Sequence, residues 1–124
     1  MAGQLTIDTL KASSGVLATQ NGMSGIAKAW VNYNAVAQTI RNSFNVSSVT
    51  YNSTGNYTVN FTTTMPDANY NVVCSTSNDA TYVGMSGFYQ TISAPTTTSA
   101  RLYSAGYNST LVNFPYFCAT FFGT

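Results

Sequence analysis

Histidine and glutamate do not occur in this 124-residue chain, and its only carboxylate side chains are Asp8, Asp67 and Asp79. The cations are Lys11, Lys28, Arg41 and Arg101, so charged residues make up 6% of the sequence, against about 25% in an ordinary globular domain. Each scarcity removes a class of chemistry. Without imidazole there is no Ser-His-Asp triad, no His-based metal site and no base to activate a thiol at Cys74 or Cys118. Glycoside cleavage commonly uses a pair of carboxylates, but Asp67 and Asp79 fall in predicted turns, where Asp is common for backbone reasons alone. No Gly-rich phosphate loop is present. A net charge of +1 without a basic run gives no cluster able to displace counterions from nucleic acid. The expectation is a protein that is not an enzyme, with no cofactor, no metal and no nucleic-acid partner.

Two cysteines make neither a disulfide framework nor a zinc knuckle. Each sits in an apolar stretch, Val72-Val73-Cys74 and Phe117-Cys118-Ala119. They read as buried free thiols, with a disulfide left open if their strands are neighbours. Residues 1–20 lack a cationic start followed by an apolar run, and no stretch approaches the roughly 20 apolar residues of a membrane span. Synthesis in a cytoplasm without a cleaved signal, and no membrane insertion, are therefore expected. The sequons at Asn45, Asn52, Asn56, Asn60 and Asn108 then read as chance matches in an Asn- and Thr-rich chain rather than as glycan acceptors.

What the chain does have is apolar and aromatic surface. Hydrophobic residues are 44% and aromatics 14% of the sequence, which places it among folded domains rather than disordered ones. Its length fits one domain. The polar coat must come from Ser, Thr, Asn and Gln, and a coat so poor in charge promotes association. A permanent assembly is the expected state.

Residues 1–26 read as an attachment arm, with an alternating segment Gln4–Leu10 and turn signals at Asn21-Gly22 and Ser24-Gly25. Residues 27–124 read as a knob domain. Ala27–Tyr33 alternates, with Ala29, Val31 and Tyr33 on one face and Lys28, Trp30 and Asn32 on the other. Residues 35–42 carry a helix-turn signal that Thr39 and Ile40 oppose. Phe44–Tyr51 and Asn56–Thr64 form a hairpin around Asn52-Ser53-Thr54-Gly55, with a bulge at Ser47-Ser48 to restore the facing. Met65–Asn69 is a turn, Tyr70–Ser77 a strand, and Thr81–Ile92 one bent strand or two short ones because Gly84 and Gly87 interrupt it. Ser93–Ser99 is a Thr-rich linker. Arg101–Ala105 and Leu111–Phe122 close the domain, the latter apolar on both faces, broken by Pro115, and therefore central or covered. The sum is an all-β fold, an antiparallel β-sandwich of about seven or eight strands with an extended N-terminal arm.

The nine tyrosines supply flat apolar faces with a polar tip, suited to protein interfaces and to sugars. Tyr82, Tyr103 and Tyr107 fall near predicted turns that also hold Asn78, Asp79 and Asn108, which makes these six the candidate glycan- or receptor-binding set. The bland alternative is packing and subunit contact. Leu5, Ile7, Trp30, Phe117 and Phe121 are the candidate subunit-interface residues.

Four blocks in order, Ala29-Trp30-Val31-Asn32-Tyr33-Asn34, Ile40–Val49, Asn56-Tyr57-Thr58-Val59-Asn60-Phe61 and Met65-Pro66-Asp67-Ala68-Asn69-Tyr70, resemble a module of phage and prophage tail-fibre-type virion proteins. The opening Leu5–Leu10 also resembles the start of many small phage structural proteins. The hairpin loop Asn52-Ser53-Thr54-Gly55 departs from the more Gly- and Asp-rich turn of that module, and the chain after Val73 has no counterpart in it. The resemblance implies a trimeric β-rich knob on a virion, working with other virion proteins and without a cofactor. It supplies no catalytic residues. Two functions are compatible with it: a tail-fibre or receptor-binding knob that attaches to a host surface glycan, and a capsid decoration protein that stabilises the head. A glycan-cleaving tail enzyme is the remote third.

Overall fold

The computed structural model describes Gly3, residues 25–78 and residues 81–123. The expected arm, with Leu5, Ile7 and Asp8, lies outside the described residues apart from Gly3 and its last two positions, and so does Asp79. Eight strands follow in order: β1 Ala27–Asn34, β2 Thr39–Phe44, β3 Val46–Ser53, β4 Asn56–Phe61, β5 Asn71–Thr76, β6 Gly84–Phe88, β7 Ser99–Gly106 and β8 Phe117–Phe122. They form two four-stranded sheets, ordered β2-β1-β8-β5 and β3-β4-β7-β6. Every pairing is antiparallel, and the two sheets pack face to face as an all-β sandwich.

Alternation explains why these segments are strands. In β1, Ala29, Val31 and Tyr33 are fully buried, and in β4 so are Tyr57 and Val59, with Phe61 nearly so. Side chains two apart share a face of the pleat, so each strand sends one apolar row inward. Aromatic rings then lock the sheets together. Phe121 of the first sheet meets Phe61 of the second at 5.0 Å between centroids, and Phe117 meets Tyr57 at 5.0 Å. These edge-on and tilted pairs add stabilisation beyond area burial.

The change of sheet between β2 and β3 is made by the single residue Asn45, which has φ 54°. Asn tolerates this left-handed backbone better than most residues. Its side chain holds the corner: Nδ2 donates to Lys28 O (2.9 Å) and Thr63 O (3.1 Å), and Oδ1 accepts from Thr63 N (2.7 Å). The next register shift falls between Val46 and Ser48, where the phase of the sequence asked for a bulge. The hairpin loop is tighter than its sequence suggested. Ser53 already pairs with Asn56, leaving Thr54-Gly55 at the tip. Gly55 has φ 63°, and a Cβ there would stand 2.3 Å from Ser104 O.

Residues 35–38 are a turn leading into β2, with Asn34 Oδ1 accepting from Val36 N and Ala37 N, and Thr39 and Ile40 open the strand, extended as their β-branching favours. Two segments depart from expectation. Within Thr81–Ile92 only Gly84–Phe88 pairs as a strand. Within Leu111–Phe122 only Phe117–Phe122 does, although Phe114 is fully buried and Leu111 bridges to Ala105. Pro115 lacks an N–H for the ladder, so the regular strand starts after it. β8 is central, as its apolar faces require. Its register with β1 sets its inward row, since Tyr33 opposes Phe117 and Val31 opposes Ala119.

That register corrects the reading of Phe117 and Phe121 as subunit-interface residues. Both are fully buried between the sheets and have no surface to offer a neighbour. Trp30 points to the other side of its sheet and is half-buried. Lys28, assigned to the polar face of β1, is fully buried as well.

Candidate functional site

The outer face of the second sheet carries a concentration of ligand-type chemistry. Its rows follow from the pairing. Leu102 and Ser104 of β7 are buried, so Arg101, Tyr103 and Ala105 face outward. Gly87 opposes Tyr103 and Met85 opposes Ala105, which brings Met85 and Gly87 of β6 to the same side. Tyr89 follows one step on, its backbone N donating to Arg101 O at 2.9 Å. On the other flank of β7, Asn56 opposes Tyr103 and Thr58 opposes Arg101.

An open cleft of about 370 Å³ lies at the β6–β7 end of this face, within the usual size of small-ligand sites, about 300–1,000 Å³. Met85, Ala105 and Leu111 give it apolar surface, Tyr89 and Tyr103 its aromatic walls, and Gln90, Thr91 and Ser109 its amide and hydroxyl groups. The two tyrosine rings are 5.9 Å apart and inclined at 59°. Tyr103 is held from below by a missing side chain: a Cβ on Gly87 would lie 3.4 Å from its Cε1. The ring therefore lies across the glycine, close to Tyr89. Ser109 reaches the rim from a turn closed by Ser109 N to Gly106 O (2.9 Å) and Gly106 N to Thr110 O (2.8 Å), with Ser109 itself at φ 65°.

Beyond the cleft the face continues as a ladder of amides and hydroxyls. Arg101 Nε donates to Asn56 Oδ1 (2.9 Å), Asn52 Nδ2 to Thr58 Oγ1 (2.9 Å), and Asn60 Nδ2 to Ser48 Oγ (2.9 Å) and Thr50 Oγ1 (3.1 Å). These bonds hold the short polar side chains in fixed orientations.

Of the six candidate binding residues, the structure brings Tyr103 to the cleft. Tyr107 and Asn108 are exposed on the turn whose Ser109 forms the rim, and Asn108 Oδ1 accepts from Thr110 N. Tyr82 packs its ring under Gly106, where a Cβ would meet its Cδ1 at 2.3 Å. Asn78 is exposed on the β5–β6 connection. Tyr89, Met85, Gln90 and Ser109, which line the cleft, were not singled out from the sequence. The signal that finds them is the alternation of Arg101, Tyr103 and Ala105 against Leu102 and Ser104, once Met85, Gly87 and Tyr89 are set beside it.

Two buried hydroxyls elsewhere serve the fold. Tyr57 OH lies 2.9 Å from Ser104 Oγ and 3.0 Å from Asn113 Oδ1, and burial pushes its pKa up to about 12. Tyr70 OH is shared between Thr96 O (2.9 Å) and Ser99 O (3.0 Å), and burial raises it to about 12 too. Cys74 faces the core opposite Ala119, whereas Cys118 opposes Ser75 on the outer side of the same sheet. Their strands are neighbours, but the thiols point to opposite faces and are free. Burial pushes the Cys74 thiol up to about 12, away from nucleophilic use. No group of metal-ligating side chains occurs among the described residues.

Comparison with protein-family models, with curated proteins and with solved structures returns no match.

Proposed function

We propose that this chain is a non-enzymatic structural protein of a bacteriophage particle, a homotrimeric surface knob of tail-fibre type that attaches to a glycan on the host through the β6–β7 cleft. The observation that carries the binding part is the cleft itself. Two tyrosine faces, an apolar floor and a rim of amide and hydroxyl groups match the two sides of a sugar, its C–H face and its hydroxyls. No carboxylate, thiol or imidazole is among the residues that line the cleft, which supports binding over cleavage by a pair of carboxylates.

The trimer reading is supported by apolar side chains exposed on opposite edges of the sandwich. Val73 on β5 and Val83 beside β6 are 56% and 66% exposed, and Val36 and Ile40 at the β2 side are 63% and 37% exposed. A three-fold ring joins two different patches of each subunit, which fits apolar exposure on both of these edges.

The test is binding of host-surface oligosaccharides followed by ligand-observed NMR. The native protein is expected to bind, and Tyr103→Ala to lose about 1–3 kcal/mol of affinity, taking as the scale the cost of removing an aromatic partner from a stacked nucleobase. Unchanged binding in Tyr103→Ala would remove the cleft from the account. Immunogold labelling of intact particles decides the location. Gold on the tail supports attachment, and gold over the head would make the chain a capsid decoration protein.

A further inference from the structure

We infer that Arg101 extends the cleft into an anion subsite, so that the saccharide taken by this face carries a negative charge next to the ring stacked on Tyr103. The inference rests on the glycan reading above. Arg101 and Tyr103 stand two positions apart on the outward row of β7, which spaces them by roughly 7 Å along the strand. That is the span from a sugar ring to an acidic substituent on it or on the next unit.

The guanidinium is positioned for such a role. It has five N–H donors in a planar fork. Nε is held by Asn56 Oδ1 at 2.9 Å, its one hydrogen bond to a described residue, and Asn52 Nδ2 reaches the same oxygen at 3.4 Å. The amide thus fixes the orientation of the fork and leaves its Nη donors without a protein acceptor among the described residues. A half-buried arginine with no carboxylate partner among the described residues, in a chain with only four cations, is a positive point two positions along the same outward row from Tyr103. Its fork matches the paired oxygens of a carboxylate or of a sulfate or phosphate ester.

Isothermal titration on the intact protein tests this with three oligosaccharides of equal length: a neutral hexose chain, its uronate counterpart and its sulfated counterpart. At least one anionic chain is expected to bind about 10–100-fold more tightly than the neutral one, the range of a charge-assisted hydrogen-bond pair. Arg101→Gln should remove that preference and leave neutral binding unchanged. Arg101→Lys, which keeps the charge without the fork, should restore it in part, and also stands in if the Gln variant fails to fold. An arginine that only braces Asn56 would change the melting temperature of Arg101→Gln and leave the acidic-to-neutral ratio as it was. Equal affinity for all three chains, unaffected by Arg101→Gln, overturns the anion subsite while the cleft reading stands. Binding of none of the three, by a folded native protein, overturns both.

Discussion

At the scale of single residues, a few positions do what no neighbour could. Asn45 makes the passage from one sheet to the other by itself, in a backbone conformation that non-glycine residues rarely take. All of its amide's polar capacity is spent on Lys28 O and on both backbone groups of Thr63. Asn45→Ala should cost about 2–4 kcal/mol, summing left-handed strain and the lost hydrogen bonds. Asn45→Gly keeps the φ and should cost about half as much. Urea unfolding of the two variants checks the order: equal midpoints would show that left-handed strain contributes nothing, and a Gly variant as stable as the native protein would show that the side chain is not what holds the corner.

At the scale of elements, the connections are fixed by side chains reaching across from strands. The Thr-rich stretch between β6 and β7 has little apolar surface of its own. It is held by Met65 N donating to Thr97 O, Phe61 N donating to Thr98 O, and the Tyr70 hydroxyl shared between Thr96 O and Ser99 O. Tyr70 also sits in the core, its ring 5.6 Å from Phe61 and 5.8 Å from Phe121. Tyr70→Phe keeps the ring and removes the hydroxyl. It should lower stability by about 1 kcal/mol, the net worth of one hydrogen bond, seen as a lower urea midpoint with an unchanged slope. A changed slope would mean that the linker had come loose in the native state.

At the scale of the whole molecule, the shortage of titrating groups shapes its response to pH. With no histidine, no side chain has an ordinary pKa between about 5 and 8, so stability should be flat across that range. The alkaline limb is different. Tyr57 and Tyr70 ionise at 10.0 ordinarily and at about 12 when folded, and Cys74 at 9.0 ordinarily and about 12 when folded. Above pH 9 the unfolded chain releases protons that the folded chain still holds, so stability falls as pH rises. It is fully present below pH 9 and lost progressively toward pH 12, by about tenfold in the folding equilibrium per pH unit for each group titrating. Thermal melts from pH 6 to 11 measure this, and a flat alkaline limb would contradict the burial of the three groups. The proposed trimer gives a second expectation at this scale. Light scattering should return three times the monomer mass for the native protein, and Val73→Lys, which places a charge on the exposed β5 position, should shift it toward monomer.

The sequence by itself determined the class of fold. The alternation in Ala27–Asn34 and Asn56–Phe61, the phase slip at Ser47-Ser48 and the two-faced apolar run around Phe117–Phe122 are local patterns, and strand facing is a local property with a period of two. It also determined which catalytic groups were available at all, because a chain cannot use imidazoles it does not contain. Tertiary structure decided the rest. Whether Phe117 faces a neighbour or its own core depends on the register of β8 against β1, set by contacts between opposite ends of the chain. Whether Cys74 and Cys118 meet depends on facing across β5 and β8, not on their strands being adjacent. The cleft needed β6 laid beside β7, so that Gly87 lies under Tyr103 and Tyr89 stands beside it. Turn positions marked Tyr82, Tyr107 and Asn108 because turn residues are visible in sequence. The outward rows of two paired strands are not visible until the pairing is known, since a pair of strands distant in sequence is chosen by the packing of the whole core.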